Sequence, residues 1–180
     1  DYTPKIFNIT EAFWESRMEL EATITEEMIS PSSPTPEDLK KYELSMFDQI
    51  APSMFIPVIF NFPPGDHTIS SSSFHLKNSL AVVLTPYYPL AGRVSDDGKS
   101  IDCDGVVPVA VAEFKGKRLS DLMEEYLGSK KLRRFLLPCE AEFDTEVLPG
   151  SRVLNVQLNY FACGSLAVAA VFWHKAVDAA

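Results

Sequence analysis

The fold of this chain is decided by the stretch LAVAAVFWHKAVD, which runs from Leu166 to Asp178. The run Leu166–Trp173 is wholly apolar, and a short apolar run of this length is typical of a strand covered on both faces. His174 and Asp178 follow directly, where loops that are freed from packing commonly form a cleft. Histidine has an ordinary pKa suited to removing a proton near neutral pH, so His174 is a candidate general base.

The spacing of the two polar residues carries a weaker signal. If 174–178 form one helical turn, a separation of four places His174 and Asp178 on one face. Asp178 would then orient the ring or brace the turn. The pattern alone occurs by chance in many chains. The other histidines, His67 and His75, are expected in a turn and at an exposed helix start, where solvation explains them.

Strands are predicted from runs of β-forming or alternating residues. Arg152–Phe161 alternates apolar and polar residues ahead of the Leu166–Trp173 run. Ile56–Phe62 is rich in β-formers, and Pro57 marks a sheet edge or a strand start. Further strands are predicted at Glu21–Met28, Tyr42–Leu44, Ser100–Asp102 and Pro108–Phe114.

Helices are predicted from apolar residues at helical spacing. One apolar face consists of Leu76, Leu80, Val83 and Leu84, with caps at Ser70–Ser73 and an end at Pro86. A second helix is predicted from Leu119, Leu122, Met123 and Tyr126, and it stops at Gly128. Ser45–Ile50 is expected as a turn or short helix, and Lys130–Leu137 as a short basic helix. Strands and helices without an internal repeat predict an α/β or α+β chain with a mixed sheet flanked by helices.

Composition and charge restrict the partners. The net charge of −9 argues against nucleic acid or an anionic membrane surface. Cys103, Cys139 and Cys163 include no CxxC pair, so we expect free thiols in a reducing compartment and no disulfide or metal site. No apolar run reaches membrane-spanning length. These features predict a cytoplasmic protein.

The first residues of the chain are expected to lie outside the folded domain, and the domain itself is expected to be part of a larger enzyme. Residues 1–20 are predicted to be an unstructured or non-native extension, without a signal-peptide core. Pro31–Pro36 is predicted to be an extended connector, because prolines disrupt helix and strand ladders alike. The chain stops soon after the buried strand. We therefore expect residues 21–180 to be the N-terminal domain of a larger enzyme, truncated before its second domain.

His174–Asp178 resembles the HxxxD motif of the plant BAHD acyltransferases. Four further segments resemble the same family in the same order: Pro31–Pro36 with LSMFDQ at Leu44–Gln49, YPLAGR at Tyr88–Arg93, the strand at Ile101–Cys103, and F-x-C-G at Phe161–Gly164. The combination of YPLAGR and HxxxD is specific, whereas either motif alone is not. The likeness is greatest to the alkaloid-acylating, vinorine-synthase-like branch.

The resemblance implies a chloramphenicol-acetyltransferase-like lobe in a monomeric enzyme, whose missing C-terminal lobe would complete the active site. It implies acyl transfer from acyl-CoA, most simply acetyl-CoA, to a hydroxyl or amine of a small-molecule acceptor from plant specialised metabolism. His174 would be the general base and Asp178 a structural, orienting residue. Ile56, Val58 and Trp173 would contact substrate, with core packing as the alternative for the two aliphatic residues. No bound cofactor and no metal are expected.

Three positions depart from the family pattern, and other interpretations stay open. Ser165 stands where a second glycine is usual, Trp173 where a small residue is common before the histidine, and Ala179 where many members have glycine. An incomplete lobe that binds a partner, or a non-functional product, is the alternative to an enzyme. A bacterial-type acetyltransferase or a peptide-synthetase condensation domain would share the HxxxD chemistry, but the YPLAGR segment argues against both.

Overall fold

The computed structural model describes residues 22–66, 68–126, 135–138 and 147–177. A larger sheet contains β1 (Ala22–Ile29), β3 (Phe55–Phe62), β6 (Val107–Phe114), β7 (Leu154–Phe161) and β8 (Leu166–Trp173). A smaller sheet contains β2 (Lys41–Glu43), β4 (Arg93–Val94) and β5 (Ser100–Asp102). The helices are α1 (Met46–Ile50), α2 (Ile69–Leu84) and α3 (Leu119–Tyr126).

The larger sheet is mixed, with the strand order β1-β6-β7-β8-β3. Only β6 and β7 run parallel, and the chain between them contains α3, as a parallel connection requires a crossover. Strands β7 and β8 form a hairpin whose turn includes Gly164 at a φ of 83°. Strand β3 lies at the edge, which accommodates Pro57. The predicted mixed sheet with flanking helices is confirmed.

The two faces of the larger sheet pack against different elements. On one face, Leu158 and Tyr160 of β7 share a core with Leu84 of α2. On the other face, Phe114 and Phe161 stack with ring centroids 5.0 Å apart, in a core that includes Leu122 of α3. In β8, alternate residues are buried and the others are half-buried. The prediction that both faces of this strand are covered is therefore confirmed, and the side chains on one face are more deeply buried than those on the other.

The polar residues of β7 are buried, although their alternation with apolar residues is typical of a solvated face. Gln157 Nε2 donates to Phe135 O at 3.0 Å and to Asn159 Oδ1 at 2.6 Å. Asn159 Nδ2 donates to Leu136 O at 2.9 Å and to Ala167 O at 3.1 Å. These amides satisfy backbone carbonyls inside the fold, where an unpaired carbonyl would be costly. The segment that begins at Phe135 is therefore fixed to the sheet by polar contacts.

Helix α2 differs from its prediction in two details. Its cap is Thr68, whose hydroxyl accepts the Ser71 N–H at 3.2 Å, so Ser70–Ser73 lie inside the helix and do not cap it. Val83 is 47% exposed, whereas Leu84 is fully buried. The helix turns by about 100° per residue, so neighbouring positions cannot both face the sheet fully. The predicted apolar stripe is otherwise confirmed.

The YPLAGR segment forms a tight junction between the two sheets. Tyr88–Ala91 is a 3₁₀ turn, and Gly92 follows in extended conformation. A Cβ at Gly92 would clash with Ile101 Cγ2 and lie 2.9 Å from the Asp102 carbonyl oxygen. The requirement for glycine here comes from the close approach of β5 and not from a positive φ.

Among the described residues, no helix has both the length and the apolarity needed to cross a membrane. Residues 1–20, which are predicted to be an unstructured or non-native extension, fall outside the described residues, and so do residues 178–180. The same holds for Gly128, His67 and most of the predicted Lys130–Leu137 helix, of which the structure describes a helical Phe135–Leu136.

Candidate active site

His174 is held where β8 passes into a 3₁₀ turn, His174–Ala176. The backbone on both sides of this junction is anchored. The Trp173 N–H donates to Val153 O at 2.8 Å, and the His174 N–H donates to Met54 O at 2.9 Å. These bonds fix the direction in which the histidine side chain leaves the sheet.

The ring of His174 makes one hydrogen bond within the described chain. Its Nδ1 lies 3.3 Å from Val177 O, and the side chain is half-buried. A carbonyl oxygen can only accept, so Nδ1 carries the proton and donates it. When the ring is neutral, the second ring nitrogen, Nε2, then carries the lone pair. Val177 follows the 3₁₀ turn in extended conformation, and its carbonyl oxygen ties the ring to the local backbone.

Trp173 faces the interior. Its side chain is 1% exposed, and its Nε1–H donates to Ser53 Oγ at 3.2 Å. It belongs to a core that contains Phe55 and Leu44. An indole in this position fills the core under the histidine and offers almost no surface to a substrate.

Ile56 and Val58 lie on the other face of the sheet from Trp173. Phe55 is the register partner of Trp173, whereas Ile56 pairs with Phe172 and Val58 with Ala170. Side chains alternate between faces along a strand, so the three residues predicted to contact substrate do not share one surface. Ile56 and Val58 are half-buried. Their assignment to a substrate pocket stays a prediction.

A second segment supports the histidine turn, and sequence reasoning did not identify it as part of the site. Lys175 Nζ donates to Gln49 O at 3.0 Å, and Gln49 Nε2 donates to Leu44 O at 2.9 Å. The signal in the sequence was the LSMFDQ segment. Its Ser45 and Asp48 form a capping box that starts α1. Asp48 therefore has a structural partner within its own turn.

The outward face of α1 is apolar and adjoins the histidine turn. Met46, Phe47 and Ile50 are exposed by 78%, 79% and 76%. Exposed apolar residues that cluster are more informative than scattered ones, because contiguous apolar patches mark binding surfaces. The contact between Lys175 and Gln49 joins the histidine turn to this helix. Asp178, the other half of the predicted pair, lies outside the described residues.

The mixed sheet flanked by helices, with a histidine directly after the second strand of the β7–β8 hairpin, agrees with the chloramphenicol-acetyltransferase-like lobe that the motifs predict. Comparison with solved structures supports this class. The chain superposes on vinorine synthase with a TM-score of 0.70 at 33% identity, covering 86% of this chain and 38% of that one. An F. graminearum protein crystallised with ethyl coenzyme A has the same fold, with a TM-score of 0.59 at 15% identity.

Sequence comparison defines the family. The Transferase family profile matches residues 19–180. The chain belongs to this family, the BAHD acyltransferases that the HxxxD and YPLAGR segments indicate. It is 38% identical over 156 residues to limonoid 21-O-acetyltransferase from Melia azedarach, covering 85% of this chain and 35% of the relative. It is 36% identical over 166 residues to vinorine synthase from Rauvolfia serpentina, covering 86% and 37%. The chain thus spans little more than a third of the length of these relatives.

Proposed function

We propose that this chain supplies the catalytic histidine of an acyltransferase, which moves an acyl group from a CoA thioester to a hydroxyl or amine of a small plant metabolite. The observation that carries the proposal is the contact between His174 Nδ1 and Val177 O at 3.3 Å. It directs the ring's basic nitrogen, Nε2, away from the backbone. A base with one fixed tautomer is ready to accept a proton from an acceptor alcohol.

The reaction needs little else from this chain. Nε2 removes the alcohol proton as the oxygen attacks the thioester carbonyl, so no free alkoxide forms. The tetrahedral intermediate then expels CoA, whose sulfur receives the proton from the imidazolium. Such general-base assistance contributes roughly two to four orders of magnitude in rate. No covalent bond to the enzyme is required, and Asp178 is assigned the role of bracing the turn.

The rest of the active site is placed outside this chain. With a net charge of −9, the chain is poorly suited to hold the phosphates of CoA by itself. We assign those phosphate contacts, and the donors that stabilise the oxyanion, to a second lobe. Acetyl-CoA is the proposed donor, since relatives at 33–38% identity are named as O-acetyltransferases. We propose a cytoplasmic monomer.

The acceptor is proposed to be a specialised-metabolite alcohol. Relatives include stemmadenine O-acetyltransferase from Catharanthus roseus and salutaridinol 7-O-acetyltransferase from Papaver somniferum. The exposed side chains of Met46, Phe47 and Ile50 beside the histidine turn favour an apolar acceptor or lobe at that place. Ile56 and Val58 remain candidate acceptor contacts.

The deciding experiment is acyl transfer by His174→Ala in the natural protein that carries this chain. Release of free CoA from acetyl-CoA is measured with a panel of alcohols. We expect turnover to fall by about 10²-fold to 10⁴-fold, with an unchanged unfolding transition. The matched control is His75→Ala, because His75 is an exposed histidine on α2. Turnover near the wild-type level in the His174 variant would remove the general-base assignment.

A second function is favoured by the same apolar patch on α1. A chain with three strongly exposed apolar residues beside its histidine could bind a partner or an acceptor without turning it over. The 180-residue chain should be assayed by itself alongside the natural protein. Binding of the acceptor without CoA release, in a preparation with a cooperative unfolding transition, would favour the binding function for the isolated chain.

A further inference from the structure

A small cavity lies beside β7, on the sheet face that carries Asn155. Its volume is about 80 Å³. Four polar side chains line it, from Glu26, Arg93, Arg152 and Asn155, and the other lining residues are mostly apolar residues of β1, β6 and β7. This cavity plays no part in the proposed acyl transfer. Its polar groups are the reason to ask what it holds.

Asn155 is the first indication of an occupant. The residue is 2% exposed, and its Nδ2 donates to no acceptor among the described residues. The other two polar side chains of β7, Gln157 and Asn159, are both paired. Buried amides in folded proteins are nearly always hydrogen-bonded, to protein, to water or to an ion. Because Asn155 lines a cavity, its partner is expected there.

The second indication is a pair of arginines at the same cavity. Arg93 and Arg152 are neighbours in an isolated β-bridge, and both contact Asp104. Arg93 Nε lies 2.9 Å from Asp104 Oδ2, and Arg152 NH1 lies 2.5 Å from Oδ1. One carboxylate therefore faces two guanidinium groups. Glu26 also lines the cavity, but among the described residues it forms no ion pair with either arginine.

The other contacts of the two arginines hold their guanidinium groups at the cavity. Besides Asp104, Arg152 NH1 donates to Val106 O at 3.1 Å, and Arg93 NH1 donates to Gly150 O at 2.9 Å. The Arg152 side chain is only 6% exposed, so bulk water reaches it poorly. Arginine presents its donors in a planar fork that matches oxyanions.

We propose that Arg93, Arg152 and Asn155 bind one small tetrahedral oxyanion in this cavity, of the size of phosphate or sulfate. The cavity has room for a single small ion. The ion would accept from both guanidinium groups and from the Asn155 amide. It would join β4, which carries Arg93, to β7, which carries Asn155. Glu26 also lines the cavity, and its negative charge opposes the ion and limits its affinity.

The test is binding of inorganic phosphate and of sulfate to the chain, measured by calorimetry and by thermal unfolding. Chloride at matched ionic strength is the reference, because sulfate and phosphate stabilise folded proteins by exclusion from the surface. A specific site adds a saturable rise in Tm with ligand concentration. We expect this saturable component in the wild type, and a Kd several-fold lower in Glu26→Gln.

Two substitutions of Asn155 keep the proposal testable even if one of them fails to fold. Asn155→Leu removes the amide at similar size and should abolish the saturable component while leaving the general salt effect. Asn155→Asp places a carboxylate beside the arginines, so it should raise Tm without phosphate and remove the phosphate dependence. Identical phosphate dependence in wild type and both variants would mean a general salt effect and would overturn the site. Tighter binding of adenosine 3′,5′-bisphosphate than of phosphate, dependent on Asn155, would overturn the single-ion assignment.

Discussion

The contact between Trp173 and Ser53 gives the most direct test of how the histidine is held. Trp173 is 1% exposed, its indole N–H donates to Ser53 Oγ at 3.2 Å, and the next residue is His174. Trp173→Phe removes the donor and the second ring, and it keeps an aromatic side chain in the core. The substitution therefore probes packing and hydrogen bonding at the residue that precedes His174.

The expected loss of stability has two parts. The smaller ring leaves roughly 40 Å³ unfilled, which at ~24 cal/mol per Å³ costs about 1 kcal/mol. The lost hydrogen bond costs about 1 kcal/mol more. Ser53 is only half-buried, so its hydroxyl can regain a bond to water and adds little further penalty. The free energy of unfolding should therefore fall by about 2 kcal/mol.

A double-mutant cycle with Ser53→Ala separates the two parts. Urea unfolding is followed by far-UV circular dichroism, because the substitution itself changes tryptophan fluorescence. We expect a coupling energy of about 1 kcal/mol between positions 173 and 53. The matched control is Phe172→Leu, since Phe172 projects to the opposite face and should not couple to Ser53. A coupling below about 0.3 kcal/mol, or a Trp173→Phe variant as stable as the wild type, would refute the buried and bonded indole.

Two further predictions concern the junction between the sheets. Gly92→Ala should destabilise the chain by about 1–3 kcal/mol in urea unfolding, because the added Cβ meets Ile101 and the Asp102 carbonyl. The control is Gly98→Ala, at a φ of 62° with open space around it, which should cost about 1 kcal/mol from backbone strain alone. Equal stability of Gly92→Ala and wild type would contradict the close approach. Burial and the neighbouring Asp102 and Asp104 carboxylates raise the pKa of the Cys103 thiol from 9.0 to about 11. Between those pH values the unfolded chain releases the thiol proton while the folded chain keeps it. The free energy of unfolding should therefore fall by up to about 2 kcal/mol as pH rises from 9 to 11. Cys103→Ala should reduce this dependence of the unfolding free energy on pH, and an unchanged dependence would mean that another group titrates.

Local patterns predicted most elements because each pattern depends on a few neighbouring residues. The apolar run Leu166–Trp173 is β8, and Ile56–Phe62 lies within the edge strand β3 that Pro57 indicated. The Leu119 stripe is α3. The cap of α2 was placed too late because four consecutive serines compete with Thr68 as capping residues. Which of these residues becomes the cap depends on the direction in which the chain enters the helix, and neighbouring elements set that direction.

The polar residues of β7 show where local patterns lead to a wrong environment. An alternating strand predicts one wet face, yet Gln157 and Asn159 are fully buried and bind the carbonyls of Phe135 and Leu136. No residue near Gln157 and Asn159 in the sequence indicates that these carbonyls are their partners. The contact exists because a segment more than twenty residues upstream covers the sheet. Such long-range satisfaction of amides is invisible to periodicity.

Sequence alone establishes the family, predicts the strand that leads to His174, and singles out His174 as the candidate base. Motif order and side-chain chemistry are properties of the sequence, so they can be read without knowledge of the folded structure. The folded structure, by contrast, places Trp173 in the core on the opposite face from Ile56 and Val58, brings Val177 O to the ring of His174, and gathers Arg93, Arg152 and Asn155 at one cavity. Those facts depend on which face of a strand a side chain takes and on which distant segments pack together. Both are set by the whole fold.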